Sequence, residues 1–186
     1  MVSMKEQFQL FAEYNRLMNV RLYDATSQLS DTDLRRDRGA FFKSVLGTLN
    51  HILVGDIIWL KRFSKHPSSD VALGPIATID RPNALDAVLF SDLAPLREQR
   101  IIVDAVIVEW IASLVERDLQ DSITYESMAG VRFSKPFASL ISHLFLHQVH
   151  HRGQVTTLLS QLGVDFGETD LVEIIGEHNS AINSDA

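Results

Sequence analysis

The sequence predicts an all-α protein arranged as a four-helix bundle, and three observations lead to this prediction. Four segments carry apolar residues every three or four positions, which is the period of an amphipathic helix. A long segment that contains proline, glycine and serine, residues 65–90, separates the second helix from the third and indicates a crossover connection. Two alternating segments around a glycine, just before the last helix, predict a small β-hairpin.

The length and composition indicate one globular domain. The chain has 186 residues, 46% hydrophobic and 22% charged, and we expect a single domain over residues 1–186 with a short flexible tail at about 179–186. A net charge of −7 argues against a nucleic-acid partner. The chain has no cysteine, which excludes disulfides and thiolate metal sites. No signal-like or membrane-spanning apolar run occurs, so we expect a cytoplasmic protein without a membrane partner.

The first two helices are predicted from apolar stripes. The first covers residues 4–29, and its stripe runs from Met4 to Leu29. Residues 30–33 carry turn and capping residues, and the charged segment 35–39 is predicted to be an exposed connection. The second helix is predicted from about residue 42 to residue 64.

Two glycines lie on the same side of the second predicted helix as His51. Glycine inside a helix costs about 1 kcal/mol relative to alanine, so Gly47 and Gly55 need a physical reason. Close approach of another backbone is one reason, and room for a ligand beside His51 is the other. The sequence leaves both open.

The second half of the chain is predicted to hold two more helices. The third begins at the Ser91-Asp92 cap and continues to about Asp118. The hairpin follows at 123–133, and residues 134–136 supply start signals for a fourth helix, which Gly163 can end. One short helical turn is expected after Glu168.

Four of the seven histidines fall within nine residues of the fourth predicted helix. His147 and His151 are one turn apart on the same face, so both imidazoles can reach a single metal ion. If the second and fourth helices are neighbours, His51 completes a three-histidine set. Such a set leaves a coordination position open, which is typical of catalytic rather than structural sites. His143 and His150 are interpreted as groups that support the ligands from outside or face solvent.

A histidine on an apolar helix face is more often a hydrogen-bonded core residue than a metal ligand. The pair His147 and His151 favours coordination, because burying two adjacent imidazoles without a partner is costly. Neutral imidazole suits several divalent ions. Zn or Ni is expected first, with Fe, Mn or Cu as alternatives.

Other polar residues carry weaker signals. Arg152 and Gln154 orient a substrate in one interpretation, and in the other they form a helix-surface salt bridge and an amide hydrogen bond. Asp56 projects away from the histidine face, so we do not count it as a ligand. A structural ion pair of Asp56 with Arg62 or Arg16 is expected instead.

An ordered set of motifs resembles the DinB family and covers nearly the whole chain. The motifs are Tyr14-Asn15-Arg-Leu-Met-Asn19, Phe41-Phe42-Lys-Ser44, Thr48-Leu-Asn50-His51, Gly55-Asp56-Ile-Ile-Trp59-Leu-Lys-Arg62-Phe63 and His147-Gln-Val-His150-His151-Arg152-Gly153-Gln154. The resemblance implies a DinB/YfiT-like bundle of up-down-down-up connection, often dimeric, with a divalent metal held by three histidines. On the matching positions these are His51, His147 and His151. Val149 replaces the threonine that is usual in the last motif, and it lies off the histidine face.

The resemblance also implies a class of activity. The same superfamily includes enzymes that move thiol cofactors, such as bacillithiol transferases and a mycothiol-dependent isomerase. It implies a metal-dependent thiol S-transferase that acts on a small electrophile, with a low-molecular-weight thiol as co-substrate. A metal-dependent hydrolase and a non-enzymatic metal or small-ligand binding protein of the stress response are the alternatives. No catalytic base is identified. A homodimer is expected, because the histidine helix is apolar on both faces, and the hairpin or the first helix is the alternative cover for the second face.

Overall fold

The structure, a computed structural model, describes residues 2–176. The described chain is mostly helical, with one two-stranded antiparallel sheet. The helices are α1 (Met4–Thr26), α2 (Asp31–Arg35), α3 (Val45–Phe63), α4 (Gly74–Ala77), α5 (Leu93–Ser113) and α6 (Phe137–Gln161). The tail predicted at about 179–186 lies outside the described residues.

The four long helices, α1, α3, α5 and α6, pack around a common core. α1 packs against α5 and α6, and α3 packs against the same two helices. The buried apolar residues form one cluster to which all four contribute. α3 and α6 are therefore neighbours, which is the condition on which the three-histidine prediction depends.

Serine caps set where the first helices begin. Ser3 and Glu6 form a capping box at the start of α1. The side chain of Ser30 accepts from the backbone N–H of Asp33 and begins α2. The prediction of one helix to residue 29 followed by a turn was wrong here, because α1 ends at Thr26 and the capping residues start a short helix.

The second helix was predicted to start at about residue 42, but α3 starts three residues later, at Val45. Ser44 caps α3 by accepting from the N–H of Gly47 at 3.0 Å. Just before it, Lys43 has a φ of 66°, a left-handed conformation that a helix cannot contain. Phe42 is therefore left outside the helix and is available to contact His51.

The crossover prediction is confirmed, because residues 65–90 consist mainly of turns and α4. Two buried side chains and one hydrogen bond fix this segment to the core. Leu73 and Ile76 are fully buried, and the indole N–H of Trp110 donates to the Ser69 hydroxyl at 2.8 Å. This part of the crossover is therefore packed against the core.

The hairpin prediction is confirmed with one correction. Strand β1 (Ser122–Glu126) pairs with β2 (Arg132–Pro136), and Gly130 takes a positive φ of 77° in the turn between them. Residues 134–136, predicted as a helix start, instead pair with the beginning of β1. α6 begins directly after β2, so the strand supplies the entry to the histidine helix.

The end of α5 differs from the sequence prediction, whereas the turn near the end of the described chain agrees with it. α5 stops at Ser113 rather than about Asp118, because the Asp118 carboxylate accepts from the N–H of Val115 at 2.9 Å and closes a turn. The turn expected after Glu168 is confirmed as a 3₁₀ helix at Leu171–Ile174. Within residues 2–176, no helix is long and apolar enough to cross a membrane.

Candidate metal centre

Three histidine rings from two helices converge inside the protein. α3 contributes His51, and α6 contributes His147 and His151. The Nε2 atom of His51 lies 3.1 Å from Nε2 of His147 and 3.1 Å from Nε2 of His151. One nitrogen of each ring lies within 4.8 Å of the other two. The three rings therefore converge, as expected if the second and fourth predicted helices are neighbours.

Groups from irregular segments orient the His51 ring. Its Nδ1 lies 2.7 Å from the backbone carbonyl of Leu85, in the crossover. A carbonyl only accepts, so Nδ1 carries the proton and Nε2 of the neutral ring presents a lone pair to the other histidines. Phe42 stacks on a face of the His51 ring, with ring centroids 3.7 Å apart and planes inclined by 15°.

Gly55 makes room for the His147 ring. A Cβ atom added at Gly55 would lie 2.6 Å from Cε1 of His147, far inside van der Waals contact. At Gly47, an added Cβ would meet the Phe42 carbonyl oxygen at 2.2 Å. The two glycines therefore have different physical reasons. Gly47 permits a close backbone approach, and Gly55 gives space to a site histidine.

Gln154 orients the His151 ring. Its side-chain oxygen lies 2.8 Å from Nδ1 of His151, so this nitrogen donates and Nε2 faces the site. The Gln154 amide nitrogen contacts Nε2 of His150 at 3.2 Å. Of the two interpretations offered for Gln154, the amide hydrogen bond is confirmed.

Burial keeps the three rings neutral. Burial, and to a smaller extent the charges of His151 and His51, together lower the pKa of His147 to about 3. Burial also lowers the pKa of His51, and it lowers that of His151 against the opposing hydrogen bond from Gln154. At neutral pH the rings therefore present unprotonated nitrogens, the form that binds metals.

The spacing and chemistry of the three nitrogens fit a divalent ion. Zn–N bonds of ~2.0–2.1 Å in tetrahedral geometry place two ligand nitrogens ~3.3 Å apart. The observed separations of 3.1 Å lie close to this value. Two Nε2 lone pairs that face one another, on His51 and His151, repel unless a cation lies between them. The cluster could therefore hold a metal ion.

The remaining histidines of α6 lie at the edge of the cluster. The His143 ring packs against Trp59, with centroids 5.0 Å apart, and lies 5.9 Å from the His147 ring. His150 is exposed and packs edge-on against His151 at 4.7 Å. Neither joins the three converging nitrogens.

A buried polar network lies beside the site, and of its contacts the sequence predicted only that Asp56 would form an ion pair. Arg100 of α5 forms ion pairs with Asp56 of α3 and with Asp104. Gln148, between the two histidines of α6, also donates to Asp56. The prediction of Arg62 or Arg16 as the partner of Asp56 was wrong, because α5 supplies the buried cation.

Arg152 belongs to the same network. It is buried and donates to the side-chain oxygens of Asn15 and Gln148. The interpretation as a helix-surface salt bridge was therefore wrong, because Arg152 is buried. Asn15 in turn donates to Asp104 at 3.1 Å, which connects α1, α5 and α6.

A cavity of about 740 Å³ adjoins the His51 side of the cluster. Its walls include Phe42 and Leu85, the two residues that contact His51, together with Phe41 and Val88. Phe41 is 85% exposed and Val88 65% exposed. The cavity is therefore adjacent to two residues that contact the His51 ring, and none of the three histidines is part of its lining.

Comparison with known proteins relates the chain to one family. The sequence model of the DinB family matches residues 4–179. Protein DinB of Bacillus subtilis (strain 168) is 22% identical over 164 residues, which are 88% of this chain and 90% of that protein. No solved structure gives a significant match. The family match includes the four long helices and all three converging histidines.

Proposed function

The chain belongs to the DinB family, and from this premise we propose that it binds a divalent metal ion through His51, His147 and His151. The observation that carries the proposal is the convergence of three neutral imidazoles, with Nε2 atoms 3.1 Å apart. We expect Zn or Ni first, because imidazole suits both, with Fe, Mn or Cu as alternatives.

The chain's own residues prepare this site. The Leu85 carbonyl and the Gln154 amide hold protons on the outer nitrogens of His51 and His151, so the inner nitrogens remain free. Phe42 covers one face of His51 and excludes water from that side. Gly55 lets His147 approach α3. Little rearrangement is required before a ligand binds.

The proposed activity is a metal-dependent thiol S-transfer to a small electrophile. Three protein nitrogens leave a coordination position open, and a bound divalent ion supplies Lewis acidity that lowers the pKa of a thiol or water there. The chain has no cysteine, so a low-molecular-weight co-substrate supplies the thiol. The apolar cavity beside Phe42 suits the carbon skeleton of the electrophile.

Turnover assays with metal-loaded protein test this activity. We would incubate it with a panel of low-molecular-weight thiols and an aromatic halide, whose carbon forms a bond to sulfur as halide leaves. Metal-dependent thioether formation, abolished by His51→Ala, is expected. Ester hydrolysis without any thiol would favour the hydrolase alternative. Tight metal binding without any turnover would favour a non-enzymatic binding protein.

Two statements about architecture complete the proposal. The contacts of α1 and α3 with both α5 and α6 support a four-helix bundle, and membership of the DinB family favours the up-down-down-up connection. We also propose a homodimer that uses the outer face of α6. Leu146 is 66% exposed and Val149 45% exposed there, and both border an apolar cavity of about 380 Å³ between α1 and α6.

A further inference from the structure

A second concave surface lies at the far end of α3 from the His51 ring. This basic cavity, of about 330 Å³, is lined by Lys61, Arg62, Lys65 and Arg81, with Glu126 at its edge. Three structural units form its walls: the last turns of α3, the crossover after α4, and the end of β1. Small-molecule sites typically have volumes of about 300–1,000 Å³, so the basic cavity lies at the small end of that range.

Within the described part of the chain, the cations of the basic cavity form no ion pair with a carboxylate. None of Lys61, Arg62, Lys65 and Arg81 belongs to the ion pairs formed among residues 2–176. Four basic side chains and the single carboxylate of Glu126 give the lining a formal charge of +3. The whole chain carries −7, so this concentration of unpaired positive charge contrasts with the rest of the sequence.

Arg62 is held in position before any ligand binds. Its guanidinium lies 4.5 Å from the ring centre of Trp59 and 4.8 Å from that of Tyr125, and it donates to the Glu126 carbonyl at 3.0 Å. Its buried Nε atom has no hydrogen-bond partner in the described part of the chain. Burial lowers the pKa of Arg62, and the charge of Arg81 lowers it further. An anion in the cavity would offset both the burial of the Arg62 charge and its repulsion by Arg81.

We propose that the basic cavity binds the phosphate or diphosphate group of a small molecule. Guanidinium groups match phosphate oxygens in pairs, and lysine ammonium groups add charge without a fixed direction. Lys61 follows His51 by ten residues, about 15 Å along the helix axis at ~1.5 Å per residue. The basic cavity is therefore separate from the histidine cluster, and it does not depend on metal binding there.

Calorimetric titration with inorganic pyrophosphate tests this site. The protein is first treated with a chelator, because pyrophosphate also binds divalent metals. The test variant is Lys65→Ala/Arg81→Ala, which removes two exposed cations of the cavity. The matched control is Lys5→Ala/Arg117→Ala, which removes two cations elsewhere. His51→Ala shows whether the histidine cluster contributes to binding.

The wild-type chain is expected to bind one pyrophosphate, and the test variant to bind it about tenfold or more weakly, because it loses two cations that form charge-assisted hydrogen bonds with the anion. The control and His51→Ala should stay within about twofold, since distant charges are screened. Absence of binding, or an equal loss in the control, would overturn the proposal. Binding to phosphatidylserine vesicles but not to pyrophosphate would overturn it in favour of a membrane surface.

Discussion

At the residue scale, the position of each histidine in the cluster depends on one neighbour outside the cluster. Leu85 supplies a carbonyl to His51, Gln154 supplies an amide oxygen to His151, and Gly55 gives space to His147. Each contact involves only one ring, so we expect that a single substitution can disturb that ring and leave the fold intact.

Gly55→Ala tests the space beside His147. The added Cβ would lie 2.6 Å from Cε1 of the ring, so the ring must move. We expect metal affinity to fall about 10–100-fold, as when a supporting group is lost, and stability to fall by about 1–3 kcal/mol. Gly153→Ala is the control, because its added Cβ meets nothing within 4 Å. Unchanged metal affinity in Gly55→Ala would contradict this account.

The pH dependence of the metal-free protein tests the burial of the histidines. Folding lowers the pKa of His147 from 6.5 to about 3, so the unfolded chain binds more protons between these values. Stability is therefore expected to fall as pH drops below about 6.5. Thermal unfolding from pH ~7.5 to ~5 measures the slope, and His147→Gln should make it shallower. An identical slope in the variant would exclude His147 as a cause of the pH dependence of stability.

The sequence predicts the histidines better than it predicts their neighbours. The i, i+4 spacing of His147 and His151 requires only that the segment is helical. His51 requires in addition that two helices pack together. Phe42 and Leu85 lie in irregular segments, whose conformation has no period to read, so their contacts with His51 could not be predicted.

At the scale of elements, a buried ion pair and a hydrogen bond connect α3, α5 and α6. Arg100 of α5 pairs with Asp56 of α3, to which Gln148 of α6 also donates. Because Gln148 lies between His147 and His151, the same contacts fix the register of the histidine helix. Helix periodicity does not predict the partners in these contacts, because the pairing of buried charges depends on which helices pack together.

Asp56→Ala is expected to destabilise the protein by about 3–5 kcal/mol, because it leaves the buried Arg100 with one carboxylate fewer. Asp24→Ala, which removes the exposed partner of Arg97, is the control and should cost about 1 kcal/mol or less. Urea unfolding of both variants measures the difference. Equal costs would mean that the buried network adds nothing beyond a surface ion pair.

At the scale of the whole molecule, the exposed apolar face of α6 predicts self-association. Light scattering at micromolar concentration is expected to give the mass of a dimer. Leu146→Glu should produce a monomer, because it introduces a charge into the proposed interface. Ile102→Glu, on the exposed side of α5, should leave the dimer intact. A monomeric wild-type protein would rule the dimer out.

The metal content of the purified protein tests the central claim most directly. Protein prepared without a metal-affinity column should contain about one divalent ion per chain by elemental analysis. His51→Ala, His147→Ala and His151→Ala should each lose it, whereas His143→Ala and His150→Ala should keep it. A wild-type protein that binds no divalent ion even after reconstitution, or a His51→Ala variant that retains full occupancy, would contradict a metal site built from α3 and α6.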